Sequence, residues 1–178
     1  NYSLAVQELR DWNDEQIRSL FRRLNYVVEK LNKQEMRHSQ YFGEFVNAVE
    51  KLSDNPFWDK IQLFSRRDSQ RMKDIEYISE LFILVIDGPQ DQQKTIDTFY
   101  ADNDVAFIEK KSFLAIFNRV IESLSSIEDF IKNSRFTKKA DFYALFGSIA
   151  MMLGKSRKPI DLSSAKAELK KLDRKLST

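Results

Sequence analysis

The sequence predicts a mainly α-helical protein of about seven or eight helices. The chain of 178 residues has only 4 Gly and 3 Pro, and 42% of its residues are hydrophobic, with 14 Phe among them. This composition is typical of a globular helical protein. Apolar residues also recur at intervals of three and four through most of the chain, as one face of a helix requires. Chains of this length normally form one domain, so we expect a single compact domain over residues 1–178.

The first helices are placed by their caps and apolar stripes. Residues 2–9, which include Leu4 and Val6, are either a short extended segment or a helical turn, because periodicity does not decide between them. Asn13 predicts the N-cap of a helix that ends near Asn25. A second helix begins at Asn32 with a sequence similar to a capping box, and its stripe continues through residue 52. The stretch 54–57, DNPF, then starts a short helix.

A long central helix is predicted from Ser65 or Asp68 to Asp87. Its end, residues 81–86 (LFILVI), is apolar on all sides, which is typical of a buried helix. Gly88 followed by Pro89 predicts its termination. The apolar run is far shorter than the roughly 20 residues of a membrane span, and no basic and apolar leader opens the chain, so we expect a cytoplasmic protein.

The remaining residues predict further helices. Residues 91–100 form a short one, and residues 104–133 form either two antiparallel helices or one bent helix. Another covers 137–153 and ends at Gly154. A basic C-terminal segment, 155–178, contains a last helix capped by Asp161, with a narrow stripe formed by Ala165, Leu169, Leu172 and Leu176.

Several classes of chemistry are excluded by what the sequence lacks. The chain has no Cys, which excludes thiolate metal sites, and its single histidine, His38, makes zinc sites and triads with a histidine base very hard to build. No glycine-rich phosphate loop is present, which excludes P-loop and Rossmann nucleotide sites. The acidic cluster from Asp102 to Asp104 lacks the spacing of an EF-hand loop, so a turn and helix cap is the better interpretation. We expect no metal site.

Nucleic-acid binding would have to be local, because the net charge is only +2. Two basic clusters are candidates. One contains Arg66, Arg67, Arg71 and Lys73, and the other contains Lys155, Arg157, Lys158, Lys166, Lys170, Lys171, Arg174 and Lys175. Clustered cations suit phosphate contacts, but no aromatic residues interleave with the second cluster as a stacking surface requires. A solvated helix face is the simpler interpretation of both.

Two smaller groups are candidates for a nucleotide site. Glu35, Arg37 and His38 place an acid, a cation and a base on one helix, although an ordinary half-exposed polar face is the simpler interpretation. Arg22, Arg23 and Asn25 lie at a helix end, where they could bind a phosphate. The alternative is that Asn25 only takes the left-handed conformation that terminates a helix.

Three stretches of the sequence resemble a known family. Residues 17–25 (IRSLFRRLN), 31–38 (LNKQEMRH) and 43–45 (GEF) look like the "IF-RLN … LN-QELRH … GPF" signature of the GmrSD restriction endonuclease N-terminal domain family, which is described as ParB/sulfiredoxin-like. Phe57-Trp58 and the pattern over residues 71–90 (RMKDIEYISELFILVIDGPQ) continue the resemblance, which covers about residues 2–154. Many members carry Thr-Gly-Gly where this sequence has Tyr26-Val27-Val28.

The resemblance implies a helical scaffold and interaction portion of a bacterial phage-defence or restriction protein. The family's nucleotide-hydrolysing motif, Asp-Gly-Gln-Gln-Arg, lies upstream of the segment that this chain resembles, and the HNH nuclease domain that often follows is also absent from it. Because the sequence begins at Asn1, we expect a fragment whose partner is a ParB-like catalytic half. GTP or ATP would then bind the intact protein rather than this chain.

The sequence leaves two alternatives open, each from another class of protein. The first is a nucleic-acid-binding module that uses the two basic clusters. The second is an enzyme or enzyme portion in which Arg23, Asn25, Glu35 and Arg37 complete a nucleotide site. Apolar residues in the first 25 positions, among them Trp12, Ile17 and Phe21, also predict an interface with the catalytic half or with another copy of the chain.

Overall fold

The structure, a computed structural model, describes residues 8, 12–27, 31–89, 94–154 and 158–176. These residues are mainly helical and include no strand, so the prediction of a mainly α protein is confirmed. The described part contains eleven α-helices: α1 (Asp14–Val27), α2 (Lys33–His38), α3 (Glu44–Ser53), α4 (Phe57–Ile61), α5 (Arg66–Gln70), α6 (Lys73–Asp87), α7 (Lys94–Asp102), α8 (Lys110–Ser125), α9 (Glu128–Lys132), α10 (Lys139–Leu153) and α11 (Lys166–Leu176). A 3₁₀ turn, Arg135–Thr137, precedes α10.

The chain divides into two compact units, Asn1–Lys33 and Gln34–Thr178. In the first unit, Asn13 caps α1 as predicted. Its Oδ1 accepts a hydrogen bond from the Gln16 N–H at 2.9 Å, and its own N–H donates to Gln16 Oε1 at 3.0 Å. This reciprocal pair satisfies two backbone N–H groups that the start of a helix leaves without partners.

The end of α1 differs from the prediction. The helix continues past Asn25 to Val27, so the interpretation of Asn25 as a left-handed terminating residue is wrong. The run Leu24 to Val27 simply keeps helical geometry, since none of these residues requires the backbone to turn. The weakly alternating segment that contains Leu4 and Val6 lies outside the described residues.

In the second unit, the core is built on α6, as predicted. Ile78, Leu81 and Phe82 are completely buried. The centroid of the Phe82 ring lies 5.7 Å from that of Phe45 on α3 and 5.9 Å from that of Phe117 on α8. These are favourable distances for aromatic pairs. All four residues from Leu81 to Leu84 are buried, which explains why this stretch of the helix is apolar on every face.

The helix predicted over residues 32–52 is divided into α2 and α3, so its prediction as one helix is wrong. The division occurs at Gly43, because the backbone there bonds to a distant loop rather than to the preceding turn. The Gly43 N–H donates to Asp104 Oδ1 at 2.7 Å, and the Glu44 N–H donates to the Asp104 carbonyl at 2.9 Å. The N-terminus of α3 is therefore capped from a position 61 residues away in the sequence.

The helix predicted from Ser65 or Asp68 to Asp87 is also divided, into α5 and α6. Ser65 and Asp68 form a capping box at the start of α5. Met72 then takes a left-handed conformation, with φ of 52°, which ends this turn and lets α6 begin in a new direction. The predicted end of α6 is confirmed, because Gly88 has φ of +79° and ends the helix.

The later helices follow the predicted pattern with shifted boundaries. Residues 104–133, which were left open, contain the two helices α8 and α9. Asp161 caps the turn before α11 rather than the helix itself, since its Oδ1 accepts a hydrogen bond from the Ser163 N–H at 2.9 Å. None of the described helices combines the length and the apolar character needed to cross a membrane.

Candidate functional site

A buried arginine lies at the centre of the most polar part of the second unit. Arg37 is on α2, and only 2% of it is exposed. Its Nε donates to Asp97 Oδ1 on α7 at 2.6 Å, and its Nη1 donates to Glu76 Oε1 on α6 at 3.1 Å. Nη1 also donates to Gln34 Oε1 at 3.1 Å. The guanidinium group thereby joins three helices. The interpretation of this position as part of a half-exposed polar face is wrong, because α6 and α7 cover it.

A chain of neutral hydrogen bonds continues from this arginine into the core. The Gln34 side-chain amide donates to Tyr100 Oη at 2.7 Å. Tyr100 Oη lies 2.9 Å from Ser79 Oγ, and Ser79 Oγ is 2.8 Å from the Ile75 carbonyl, to which it donates. Since the serine hydroxyl has one hydrogen, Tyr100 must be the donor to Ser79. We refer to Gln34, Arg37, Glu76, Ser79, Asp97 and Tyr100 as the Arg37 cluster.

A second ion pair lies beside the cluster. Arg71 Nε is 2.9 Å from Glu35 Oε1, and Arg71 Nη2 donates to Glu35 Oε2 at 3.1 Å. This two-point contact fixes the relative orientation of both side chains. It joins α2 to the turn before α6. Two stretches that carry the family resemblance, 31–38 and 71–90, are therefore linked by two ion pairs, Glu35 with Arg71 and Arg37 with Glu76.

Burial raises the pKa of two groups at or near the Arg37 cluster, Glu80 and Tyr100. Desolvation raises the pKa of Glu80, and the neighbouring Glu76 carboxylate raises it further, while Lys139 and Arg37 act in the opposite direction. Desolvation also raises the pKa of Tyr100, although its hydrogen bonds with Ser79 and Gln34 partly oppose this effect. Burial therefore holds the Tyr100 hydroxyl in its neutral form, in which it can donate to Ser79.

One donor of the cluster has no acceptor. Arg37 Nη2 is buried, and no hydrogen-bond partner for it is found. A buried N–H without a partner is unfavourable by about 1–3 kcal/mol. The other N–H groups of Arg37 are used to hold helices together. The chemistry available in the described part of the cluster is therefore hydrogen bonding and charge pairing, and no group of three side chains suited to a metal ion occurs among the described residues.

The four residues predicted for a nucleotide site occupy two different units. Arg23 and Asn25 belong to α1 in the first unit, where Arg23 is exposed. Glu35 and Arg37 belong to the second unit, where each is held by the ion pairs described above. His38 follows Arg37, and its Nδ1 lies 3.3 Å from Oε1 of Glu50 on α3. The structure thus uses Glu35 and Arg37 in separate ion pairs of α2, and the nucleotide site stays a prediction.

The acidic cluster at residues 102–104 forms a junction between the loop before α8 and the start of α3. Asp104 Oδ1 accepts from the Gly43 N–H, as described, and from the Phe42 N–H at 3.2 Å. The Asn103 carbonyl accepts from the Phe45 N–H at 3.2 Å. We call this contact the α3 junction. The main-chain carbonyls of Asn103 and Asp104 therefore accept from the first two N–H groups of α3, and the Asp104 carboxylate accepts from the two residues just before the helix.

The two basic clusters are only partly exposed, and some residues of the second lie outside the described part of the chain. Arg66, Arg67 and Lys73 are exposed at α5 and the start of α6, whereas Arg71 is partly buried by its contact with Glu35. Near the C-terminus, the exposed members are Lys158, Lys170, Lys171, Arg174 and Lys175, and Lys166 is partly buried, while Lys155 and Arg157 lie outside the described residues.

An open groove of about 360 Å³ separates α9 from α11 and combines both signs of charge. Lys166, Lys170 and Arg174 line it together with Asp129, Asp173, Phe130 and Asn133. The acidic side chains reduce the attraction of this groove for an anion. The structure does not single out either basic cluster as a nucleic-acid site, and both stay predictions.

Sequence reasoning missed most of the Arg37 cluster. Ser79 and Glu80 interrupt the apolar pattern of α6, and this interruption in a helix predicted to be buried was the signal that a polar contact lay there. Gln34, Asp97 and Tyr100 gave no such signal, because each is an ordinary residue on an amphipathic helix. Comparison with protein-family models, with curated proteins and with solved structures finds no match for this chain.

Proposed function

We propose that this chain is the helical scaffold and interaction portion of a GmrSD-type, ParB/sulfiredoxin-like restriction or phage-defence protein. Its role is to position a partner rather than to perform catalysis alone. In the intact protein it packs against a ParB-like half, and that half supplies the nucleotide-hydrolysing motif. GTP or ATP is accordingly a ligand of the intact protein.

This proposal rests on the ion pairs that join the two stretches of sequence resembling the family. Glu35 and Arg37 come from the stretch that looks like "LN-QELRH", and their partners Arg71 and Glu76 come from the second resembling stretch. Partly buried ion pairs add little to stability, because desolvation offsets their attraction; in this proposal they specify which helices pack together. Residues in these stretches thus support a defined helical framework, which is the property that a scaffold requires.

A second observation supports a partner for α1. Trp12 and Ile17 are 42% and 43% exposed, although both are large apolar side chains. Trp12 precedes α1 and Ile17 lies in its first turn, and large exposed apolar side chains at the start of a helix are a feature of interaction surfaces. We assign this surface to the ParB-like half.

Hydrolysis assays test the absence of independent catalysis. The purified chain is expected to hydrolyse neither GTP, ATP nor DNA. The control is an Arg23→Gln variant, which changes an exposed residue of the predicted nucleotide site and should leave the unfolding transition unaltered. Turnover by the unaltered chain that disappears in this variant would contradict the proposal and favour a nucleotide site.

Hydrogen exchange tests whether residues 12–21 contact a ParB-like half. Backbone amides of residues 12–21 should exchange quickly in the chain alone and slowly when a ParB-like half is joined upstream, because docking removes them from solvent. An Ile17→Gln variant should weaken this protection, whereas the matched change Met152→Gln should not, since Met152 is exposed elsewhere. Protection of residues 12–21 equal to that of α6 in a monomeric sample would contradict the proposed interface.

Nucleic-acid binding is the second candidate, favoured by the exposed cations Lys170, Lys171 and Arg174 on α11. If α11 contacts phosphates, DNA affinity should fall steeply with salt, because each neutralised phosphate releases counterions. A Lys170→Gln, Lys171→Gln variant should then show a smaller salt dependence. Affinity that is unchanged by salt and by these substitutions would eliminate this candidate.

A further inference from the structure

The start of α10 adjoins the first basic cluster. The ammonium group of Lys139 lies 3.4 Å from Asp68 Oδ1 on α5. Arg66 and Arg67 directly precede Asp68, and both are exposed. Lys138, which is also exposed, directly precedes Lys139. One ion pair therefore brings the exposed cations of α5 close to an exposed cation at the start of α10.

The last turn of α11 adjoins the same part of the chain. The Arg135 backbone N–H donates to Asp173 Oδ1 at 2.9 Å, and Arg135 Nη1 donates to the Leu176 carbonyl. The guanidinium group also holds Asp141 through a two-point contact at 2.9 and 3.1 Å. Because Arg135 and Lys139 are four residues apart, their Cα atoms are separated by at most about 14 Å. Two basic clusters that are distant in the sequence are therefore joined by the segment that begins α10.

Most carboxylates on α5, the start of α6, the start of α10 and α11 already have a donor or a cation of the chain as partner. They are Asp68, Glu76, Asp141, Glu168 and Asp173. Two other carboxylates have no cation partner in the described part of the chain. They are Asp74, in the first turn of α6, and Asp129, which lies across the groove from α11.

The unpaired cations outnumber these two carboxylates. Five exposed cations on the same elements form no ion pair with any residue that the structure describes: Arg66, Arg67, Lys73, Lys138 and Lys170. Arg174 is exposed one turn beyond Lys170 and lines the groove with it. The surface that joins the two clusters therefore has a positive excess. We call Arg66, Arg67, Lys138, Lys170 and Arg174 the basic band.

We propose that the basic band is one continuous surface for the phosphate backbone of a DNA duplex. This inference rests on the second candidate function, nucleic-acid binding, and extends it from α11 to α5 and the start of α10. Cations spread over three elements suit an extended polyanion, because a small anion requires donors that converge on one point.

A duplex fits the band better than a single strand. None of the exposed aromatic side chains among the described residues lies on these three elements, and a single-strand site needs such side chains for base stacking. Contacts to phosphates carry no sequence information. We therefore expect the band to bind duplexes without sequence preference.

Fluorescence anisotropy with a labelled duplex tests the band at salt concentrations between about 50 and 200 mM. Three variants remove its cations, namely Arg66→Gln with Arg67→Gln, Lys138→Gln, and Lys170→Gln with Arg174→Gln. The matched control, Lys51→Gln with Lys111→Gln, removes two exposed cations from α3 and α8. Glutamine preserves helix propensity, and circular dichroism verifies that each variant is folded.

The unaltered chain and the control should bind the duplex with the same steep salt dependence. The logarithm of the affinity should change with the logarithm of the salt concentration by a slope of about −0.9 for each neutralised phosphate. The α5 variant and the α11 variant should each make this slope shallower by about 2, and Lys138→Gln by about 1. Loss of two such contacts at 0.1 M salt should weaken binding at least about tenfold.

Two separate sites would give a different result. Each of the two double variants would leave the other site intact, so neither would weaken binding by more than about twofold. That result would overturn the continuous band. Weakening in the α11 variant alone would also overturn it, but it would leave nucleic-acid binding by α11 as a function. Absence of duplex binding at low salt would eliminate both.

Two further results would overturn the band in other ways. Equal weakening in the control would show that the duplex responds only to net charge. Vesicles of phosphatidylserine and phosphatidylcholine are tested in parallel, because their headgroups also carry phosphate. Binding of these vesicles but not of the duplex, with the same pattern among the variants, would assign the surface to a membrane.

Discussion

Replacing Gly43 by alanine tests the α3 junction directly. A Cβ atom at this position would lie 1.6 Å from the Asp104 carbonyl oxygen and 2.4 Å from Asp104 Oδ1. The φ angle of Gly43 is −92°, so alanine can adopt the backbone conformation and the conflict is one of space alone. The two segments must move apart by roughly 2 Å to reach ordinary van der Waals contact.

The magnitude follows from the hydrogen bonds that this movement would break. The Gly43 N–H and the Glu44 N–H donate to the carboxylate and the carbonyl of Asp104 at 2.7 and 2.9 Å. A neutral hydrogen bond contributes about 1 kcal/mol and one to a charged group about 1.5–3 kcal/mol. The hydrogen bond from the Phe45 N–H to the Asn103 carbonyl would also be strained. We therefore expect Gly43→Ala to lower the free energy of unfolding by about 3–5 kcal/mol.

Urea unfolding followed by circular dichroism measures this loss, and Gly154→Ala is its matched control. Gly154 has φ of −52°, and its nearest contact for a Cβ atom is an ordinary 3.5 Å. Alanine at such a position should be neutral or stabilising by about 0.4–1 kcal/mol, because it restricts the unfolded chain. If the two variants differ by less than about 0.5 kcal/mol, the close contact between Gly43 and Asp104 is refuted.

Two further substitutions test the core and its electrostatics. Phe82→Ala should lower the free energy of unfolding by about 3–5 kcal/mol, because it leaves a cavity at a completely buried position; a loss below about 1 kcal/mol in denaturant unfolding would contradict this packing. Glu80→Gln should stabilise the protein at pH 7. The pKa of Glu80 is raised from 4.5 on folding, so its ionisation reduces stability as pH rises through the folded pKa. The stabilisation by Glu80→Gln should disappear at pH values below the pKa of Glu80 in the unfolded chain, and unfolding measured across pH 4–7 can verify this.

Local features of the structure were accessible from the sequence. The capping of α1 by Asn13, the buried apolar face of α6 and its end at Gly88 were all predicted. These features depend on residues within one or two turns of one another, because caps and apolar stripes repeat at helical intervals. The helical class follows from the same signals, summed over the whole chain.

The candidate site depended on contacts that have no local signal. The sequence predicts Arg37 on the half-exposed polar face of a helix over residues 32–52, but its partners Glu76 and Asp97 are 39 and 60 residues away. Only the packing of α6 and α7 against α2 makes it a buried residue.

The sequence by itself therefore determined which segments are helical and which of their faces are apolar, since both follow from neighbouring residues. The tertiary structure decided where helices divide and which polar groups are enclosed. At Gly43, a continuous helix would have been compatible with the local pattern. The helix instead restarts because the Asp104 loop supplies its first hydrogen-bond acceptors. Such acceptors are brought near only when the chain folds, so their effect cannot be read from residues adjacent in sequence.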